Sequence, residues 1–150
     1  MSKRFRDIGI WEKPWYRLMT PLQKCAWSYV TDRCDSVGVW DADKEMADIF
    51  IGEKVDWEAL LSATNGNIEA LENGKWFLVD FCAFQYGELR SECKPHASYL
   101  SLLRKHGLSE RVCKGYGKSI YTAKEKEKEK ELEKDALRAA ARLKKRMGVK

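Results

Sequence analysis

The stretch "IEALENGKWFLVDF", residues 68–81, decides how this chain folds. Asn73-Gly74 stands near its centre, the strongest short turn signal a sequence offers, with strand-forming residues around it. A two-residue type I′ loop there pairs Glu72 with Lys75, Leu71 with Trp76, Ala70 with Phe77 and Ile68 with Val79. Side chains alternate between the two faces of a strand. This register puts Ile68, Ala70, Phe77, Val79 and Phe81 on one wholly apolar face, expected to be core. The other face carries Glu69, Leu71, Trp76, Leu78 and Asp80. It is mixed, and it leaves Trp76 exposed beside Lys75 at the tip.

Working back from the hairpin, Asn65-Gly66 ends a helix, "WEALLSAT", that Asp56 caps. Trp57, Leu60, Leu61 and Thr64 recur at i, i+3, i+4, i+7. Before it lies a short helix, "KEMADIF", capped by Asp41 or Asp43 and closed by Gly52. Met46, Ala47 and Phe50 share one of its faces. The β-branched, glycine-bearing "SVGVWDA" suits a brief strand over 37–40. Before that strand, "TPLQKCAWSYVTDRCD" predicts a longer helix with Thr20 and Gln23 as a capping box and Pro21 at the first helical position. Leu22, Cys25, Ala26, Tyr29, Val30 and Arg33/Cys34 form its stripe. Residues 1–19 are expected to be an irregular or extended lead-in. Its Trp11, Trp15 and Tyr16 make it too aromatic for a free tail, so it should pack on the domain.

Downstream, Pro95 starts another helix, with His96, Tyr99, Leu100 and Leu103 inward and Gly107 at its end. Residues 109–123 look like a loop or linker. Residues 124–150 are a charged helical tail by propensity. Their Leu132, Ala136, Ala139, Leu143 and Met147 make an apolar seam too short for a stable coiled coil. The order is helix, strand, helix, helix, hairpin, helix. That predicts an α+β fold, a winged helix-turn-helix over 20–108 with the hairpin as wing and the strand at 37–40 as third strand.

The chain has 28 Lys/Arg and 23 Asp/Glu, a net charge of +5. Residues 124–150 hold 11 of the bases and 6 of the acids, so the tail carries the whole excess. Residues 32–72 hold 11 acids against 3 bases, a net of −8, while the flanks 1–31 and 73–123 are each +4. A chain polarised this way is not a uniformly basic nucleic-acid coat. The five cysteines are odd in number and form no C-x-x-C pair, which fits thiols in a reducing cytosol. No apolar run approaches the ~18 residues of a membrane span. The basic N-terminus lacks the apolar stretch of a signal peptide.

Cys93, His96, His106 and Cys113 offer a zinc-like spacing. The two histidines flank a helix, however, and would stand about 15 Å apart. Zinc holds its ligands at ~2.0 to 2.3 Å, so no metal is expected. There is no glycine-rich phosphate loop and no nucleophile elbow, so neither an ATPase nor another enzyme is expected, and no cofactor.

The segments "WEKPWYRLMTPLQKCAWSYVTDRCDSVGVWDAD" (11–43), "GKWFLVDFCAFQYGEL" (74–89) and "HASYLSLLRKHGL" (96–108) resemble the N-terminal winged-helix region of phage replisome organisers and DnaD-like primosome proteins. The resemblance covers about residues 11–108. It implies a role in phage or bacterial DNA replication initiation in the host cytosol: origin or primosome binding, self-association, and help in loading a replicative helicase. Longer relatives carry a further helical domain where this chain has its charged tail.

The candidate DNA contacts fall in three places. The third helix and its end offer Ser62, Thr64, Asn65 and Asn67. No Lys or Arg lies between 55 and 74, so a duplex is repelled there and contact with protein or solvent is the more expected role of this surface. The wing offers Asn73, Lys75 and Trp76, which could approach phosphates or stack on a base of duplex or single-stranded DNA. Alternatively, Trp76 covers a surface of its own domain. The tail offers Arg138, Arg142, Lys144, Lys145, Arg146 and Lys150, more cations than a helix dipole asks for. A protein-interaction module without DNA contact, or a transcriptional regulator, would use the same element order.

Overall fold

The computed structural model describes residues 3–115 and 123–148. The fold is α+β, with a small antiparallel sheet among helices. A 3-10 turn, Ile8–Glu12, opens the chain and a short helix α1, Pro14–Leu18, follows. From Ile8 the lead-in is therefore helical where an irregular or extended segment was expected. Asp7 and Pro14 start these two turns as N-cap and first helical residue.

Helix α2, Pro21–Arg33, has the expected capping box. Thr20 accepts from Gln23 N at 3.1 Å, and Gln23 Oε1 accepts from Thr20 N at 2.9 Å. Ala26 and Val30 are buried, whereas Cys25 faces out. Strand β1, Val39–Trp40, leads through Asp43, the cap, into α3, Lys44–Ile51, which Gly52 ends in the left-handed region. Of the face assigned to α3, only Ala47 is buried; Met46 and Phe50 are exposed. Helix α4, Trp57–Ala63, is capped by Asp56 as expected.

Strands β2, Ile68–Ala70, and β3, Trp76–Leu78, form the hairpin, and β3 lies between β1 and β2. The register differs from the expected one by one residue: Ile68 pairs with Leu78, Glu69 with Phe77, Ala70 with Trp76. The turn is the reason. Gly74 N donates to Leu71 O at 2.9 Å, and Leu71 N donates to Lys75 O at 2.7 Å. Gly74 has φ +82°, and Asn73 is not among the described residues of positive φ, as a type I′ loop requires. The loop is a β-turn closed by a glycine bulge, with one more residue than the two-residue loop. A slip of one residue moves every side chain to the other face.

Trp76 and Leu78 therefore join Ile68, Trp40, Trp57, Leu60, Val30 and Ala47 in the larger core cluster. Phe77 joins Val37, Val39, Cys82, Leu103, Leu108 and Val112 in the second. The central strand is covered on both faces, which is why its residues read as an unbroken apolar run. That run ends in a helix and not in more strand: α5 spans Phe81–Tyr86.

Helix α6, Lys94–Lys105, buries Leu103, and Gly107 follows it at φ +71°. The segment expected as linker begins with a helix, α7, Ser109–Gly115. Its remainder, 116–122, lies outside the described residues. Helix α8, Ala123–Met147, packs on α1, with Ala136 buried and Leu132 half-buried. Ala139, Leu143 and Met147, the rest of the expected seam, are exposed. Among the described residues no helix is long and apolar enough to cross a membrane.

Candidate nucleic-acid interface

Helix α4 and the hairpin do not assemble a basic surface. Thr64 is fully buried. Its hydroxyl donates to Leu61 O at 2.7 Å and accepts from Ile68 N at 3.4 Å, so it ties α4 to β2 and faces no ligand. Asn67 Nδ2 donates to Thr64 O at 2.8 Å, and Asn65 holds the helix end at φ +52°. Both are half-buried structural residues. Ser62 is exposed, but its hydroxyl bonds back to Glu58 O at 3.1 Å. Glu58 in turn pairs with Lys44 at 3.1 Å.

At the hairpin tip, Asn73 is exposed and its Oδ1 accepts from Lys75 N at 3.1 Å, an Asx contact that shapes the turn. Lys75 reaches back to Asp41 at 2.7 Å, which neutralises it. Trp76 is 2 % exposed. It meets the rings of Trp40 and Trp57 edge-on at 5.5 Å and 6.0 Å, with Lys44 Nζ 5.3 Å from its centroid. The expected stacking residue is a core residue, and the shifted register is the cause.

The tail is different. Arg138, Arg142, Lys144, Lys145 and Arg146 are all exposed; Lys150 lies outside the described residues. At ~100° per residue, Lys134, Arg138, Arg142 and Lys145 fall on one stripe, opposite Leu132 and Ala136. The apolar side rests on α1 and the cations point away. The one described ion pair within the stripe is a loose contact of Arg138 with Asp135 at 3.5 Å. The stripe is about 17 Å long, enough to follow a few phosphates.

Two grooves flank the sheet. The larger, about 570 Å³, lies between the N-terminal segment, α2 and α5. Trp11, Tyr16, Trp27, Phe81 and Phe84 line it. The lead-in is fastened over it by Arg4, whose guanidinium donates to Thr31 O at 2.7 Å and to Cys34 O, and by Gln85, which exchanges two hydrogen bonds with the Phe5 backbone. Arg6 pairs with Asp32 at 3.0 Å and Lys13 with Asp7 at 2.8 Å. Salt bridges thus neutralise two of the cations at this groove, and its walls are aromatic. The smaller groove, about 440 Å³, gathers Arg33, Lys75, Lys105 and His106 with Asp35, Asp41 and Asp43. Those charges balance too, and His106 Nε2 is held by Asp35 at 2.7 Å.

Among the described residues no three His, Cys, Asp or Glu are placed to hold a metal. His96 Nδ1 accepts from Arg90 N at 3.0 Å, and His106 is engaged by Asp35. The Cys113 side chain lies outside the described residues. Comparison with family models, curated proteins and solved structures gives no match.

Trp11 is the feature sequence reasoning missed. The aromatic lead-in was expected to pack, and Trp15 and Tyr16 do, but Trp11 is 60 % exposed. Its position on a one-turn element just before Pro14 was the available signal.

Proposed function

We propose that the chain is a non-enzymatic DNA-binding protein of winged-helix type that serves replication initiation, and that it holds DNA through the cationic stripe of α8. The observation that carries this reading is the exposed row Lys134, Arg138, Arg142 and Lys145 on a helix whose opposite side is docked on α1. Cations on a docked helix neutralise phosphates without reading bases, so binding is sequence-blind and salt-sensitive. The element order and the three-stranded antiparallel sheet support the winged-helix assignment. The resemblance to replisome organisers supports the replication role and, with it, contact with a replicative helicase or its loader.

The test is a gel-shift series against salt on the full chain and on the triple variant Arg138→Glu, Arg142→Glu, Lys145→Glu. Three to four phosphate contacts give a slope of about −3 in log affinity against log salt. The triple variant should bind at least tenfold more weakly and lose most of that slope. Wild-type binding that ignores salt, or a variant that binds as well as wild type, rejects the reading.

A second reading rests on α3. Met46, Ile49 and Phe50 are 44 %, 71 % and 62 % exposed within the acidic segment 32–72. An apolar ridge there favours self-association of an interaction module. Ile49→Ser with Phe50→Ser should lower the assembly state in sedimentation equilibrium while leaving the salt slope intact. An unchanged assembly state removes this reading.

A further inference from the structure

We infer that Trp11 and Lys24 form a second nucleic-acid site, one that stacks a base of single-stranded DNA at the mouth of the aromatic groove. The inference rests on the DNA-binding reading and gives it a preferred form of DNA. Trp11 is the most exposed of the six tryptophans; Trp15, Trp40, Trp57 and Trp76 are buried and Trp27 is half-buried. It is also firmly presented. Asp7 caps its 3-10 turn through Gly9 N at 2.9 Å, and Lys13 N closes the turn on Ile10 O at 3.1 Å.

The Trp11 ring stands edge-on to Tyr16 at 5.2 Å and 88°. Lys24 Nζ lies 5.4 Å from the centroids of both rings. Lys24 makes no ion pair among the described residues, whereas neighbouring Arg17 is paired with Glu12 at 3.2 Å. An aromatic face beside an ammonium group fits a base and its phosphate, because every base has a π-face and the backbone is anionic.

Two further observations point the same way. Phe5, Ile8 and Phe84, 73 %, 92 % and 47 % exposed, line the same groove as Trp11. The groove is aromatic, and its Arg6 and Lys13 are matched by Asp32 and Asp7, which suits neutral bases and not phosphates. Its third cation, Arg4, is engaged by the Thr31 and Cys34 carbonyls, and Lys24, which makes no ion pair among the described residues, lies outside the lining. Helix α8 packs on α1, and it is Tyr16 of α1 that meets Trp11. The cationic stripe of α8 lies on the side of that helix away from α1, so the two contacts are separate. Paired bases in a duplex keep their faces stacked on one another and cannot enter.

The experiment measures fluorescence anisotropy of a dT oligomer, a duplex of equal length and an abasic oligomer of equal length. Full-length wild type, Trp11→Ala, Trp11→Phe and Lys24→Ala are compared. Trp11→Ala should weaken dT binding between about fivefold and a hundredfold, the range for loss of one stacked base. Trp11→Phe should restore most of it, and neither change should alter the duplex or abasic affinity. Lys24→Ala should weaken both the dT and the abasic oligomer. Equal effects of Trp11→Ala on dT and abasic oligomers, or no effect on dT, overturn the stacking site. Salt-dependent binding of all probes without dependence on Trp11 does so while leaving the α8 reading intact. If wild type binds no probe, both fail. Dependence on Trp11 without any effect of the α8 triple variant keeps this site and rejects the α8 reading.

Discussion

Trp40 and Trp76 face each other across neighbouring strands, and their buried rings meet edge-on at 5.5 Å. Trp57 from α4 closes a three-ring cluster, 5.3 Å from Trp40 and 6.0 Å from Trp76. The hairpin is thus fastened to the helical layer by its own tip-proximal tryptophan. Trp76→Ala should cost about 3–5 kcal/mol, the usual range for removing a large buried aromatic. Urea unfolding measures it. Any DNA affinity that survives in the folded variant should show no selective loss on single strands, since the ring faces no ligand.

The same residue shows where the sequence was legible and where it was not. Helix starts were legible because caps are local: Thr20 with Gln23, Asp43 and Asp56 each bond the backbone three residues on. The strand at Val39–Trp40 was legible from its composition. The hairpin register was not. Asn-Gly suits both a two-residue loop and a longer one with a glycine bulge, and alternation arbitrates only when one face is polar. With Trp76, Phe77 and Leu78 all buried, either register looks acceptable. Helix α5 was hidden for a related reason. It continues the apolar run without a side-chain cap, as Asp80 makes no capping bond.

Gly38 and Gly74 separate two costs of a side chain. Both have positive φ, +88° and +82°. A Cβ on Gly74 meets nothing within 4 Å, but one on Gly38 comes 2.5 Å from Phe81 Cβ. Gly74→Ala should cost about 1–2 kcal/mol from backbone strain alone. Gly38→Ala adds a forced shift of α5 against β1, about 1–3 kcal/mol more. Paired thermal or urea unfolding should rank Gly38→Ala clearly below Gly74→Ala in stability. Equal losses would mean that the approach of Phe81 to Gly38 is not a tight one.

Cysteine reactivity should follow burial. Cys25 is exposed, whereas Cys34 and Cys82 are buried. Burial pushes the Cys34 thiol up to about 11, with the Arg4 guanidinium partly opposing it. The thiolate is the reacting species, so Cys34 stays inert from neutral pH to about pH 9 in the folded chain. Timed alkylation read by peptide mass spectrometry should label Cys25 first and Cys34 only on unfolding. Arg4→Ala removes the guanidinium that opposes this rise, so Cys34 in the folded variant should label no faster than in wild type.

Asp7 predicts an acid-side weakness of the lead-in. Its hydrogen bond from Lys13, followed by that cation's field and the Gly9 N–H, holds its carboxyl below the usual range despite burial pushing the other way. A depressed folded pKa stabilises the folded form in full above the ordinary value of about 3.9. That contribution disappears as pH falls below it through the folded pKa. Acid titration followed by near-ultraviolet circular dichroism should show the turn around Trp11 loosening in this window. Asp7→Asn should remove the acid dependence by losing the stabilisation at every pH. The same variant should weaken single-strand binding if the turn presents Trp11.

Asp48 joins α3 to the tryptophan cluster through one oxygen. Its Oδ1 accepts from Val55 N and from Trp57 Nε1, each at 3.0 Å. Val55 and Trp57 are both buried, so these donors have little access to water. Asp48→Ala should leave them unpaired and cost about 1–3 kcal/mol. Asp48→Asn keeps an oxygen in place and should cost less. A double-mutant cycle isolates the indole bond, because Trp57→Phe removes that donor while keeping a ring. In the Trp57→Phe background the cost of Asp48→Ala should shrink but not vanish, since Val55 N still lacks its acceptor. If the cost is unchanged, the indole bond contributes nothing to holding α4 against α3.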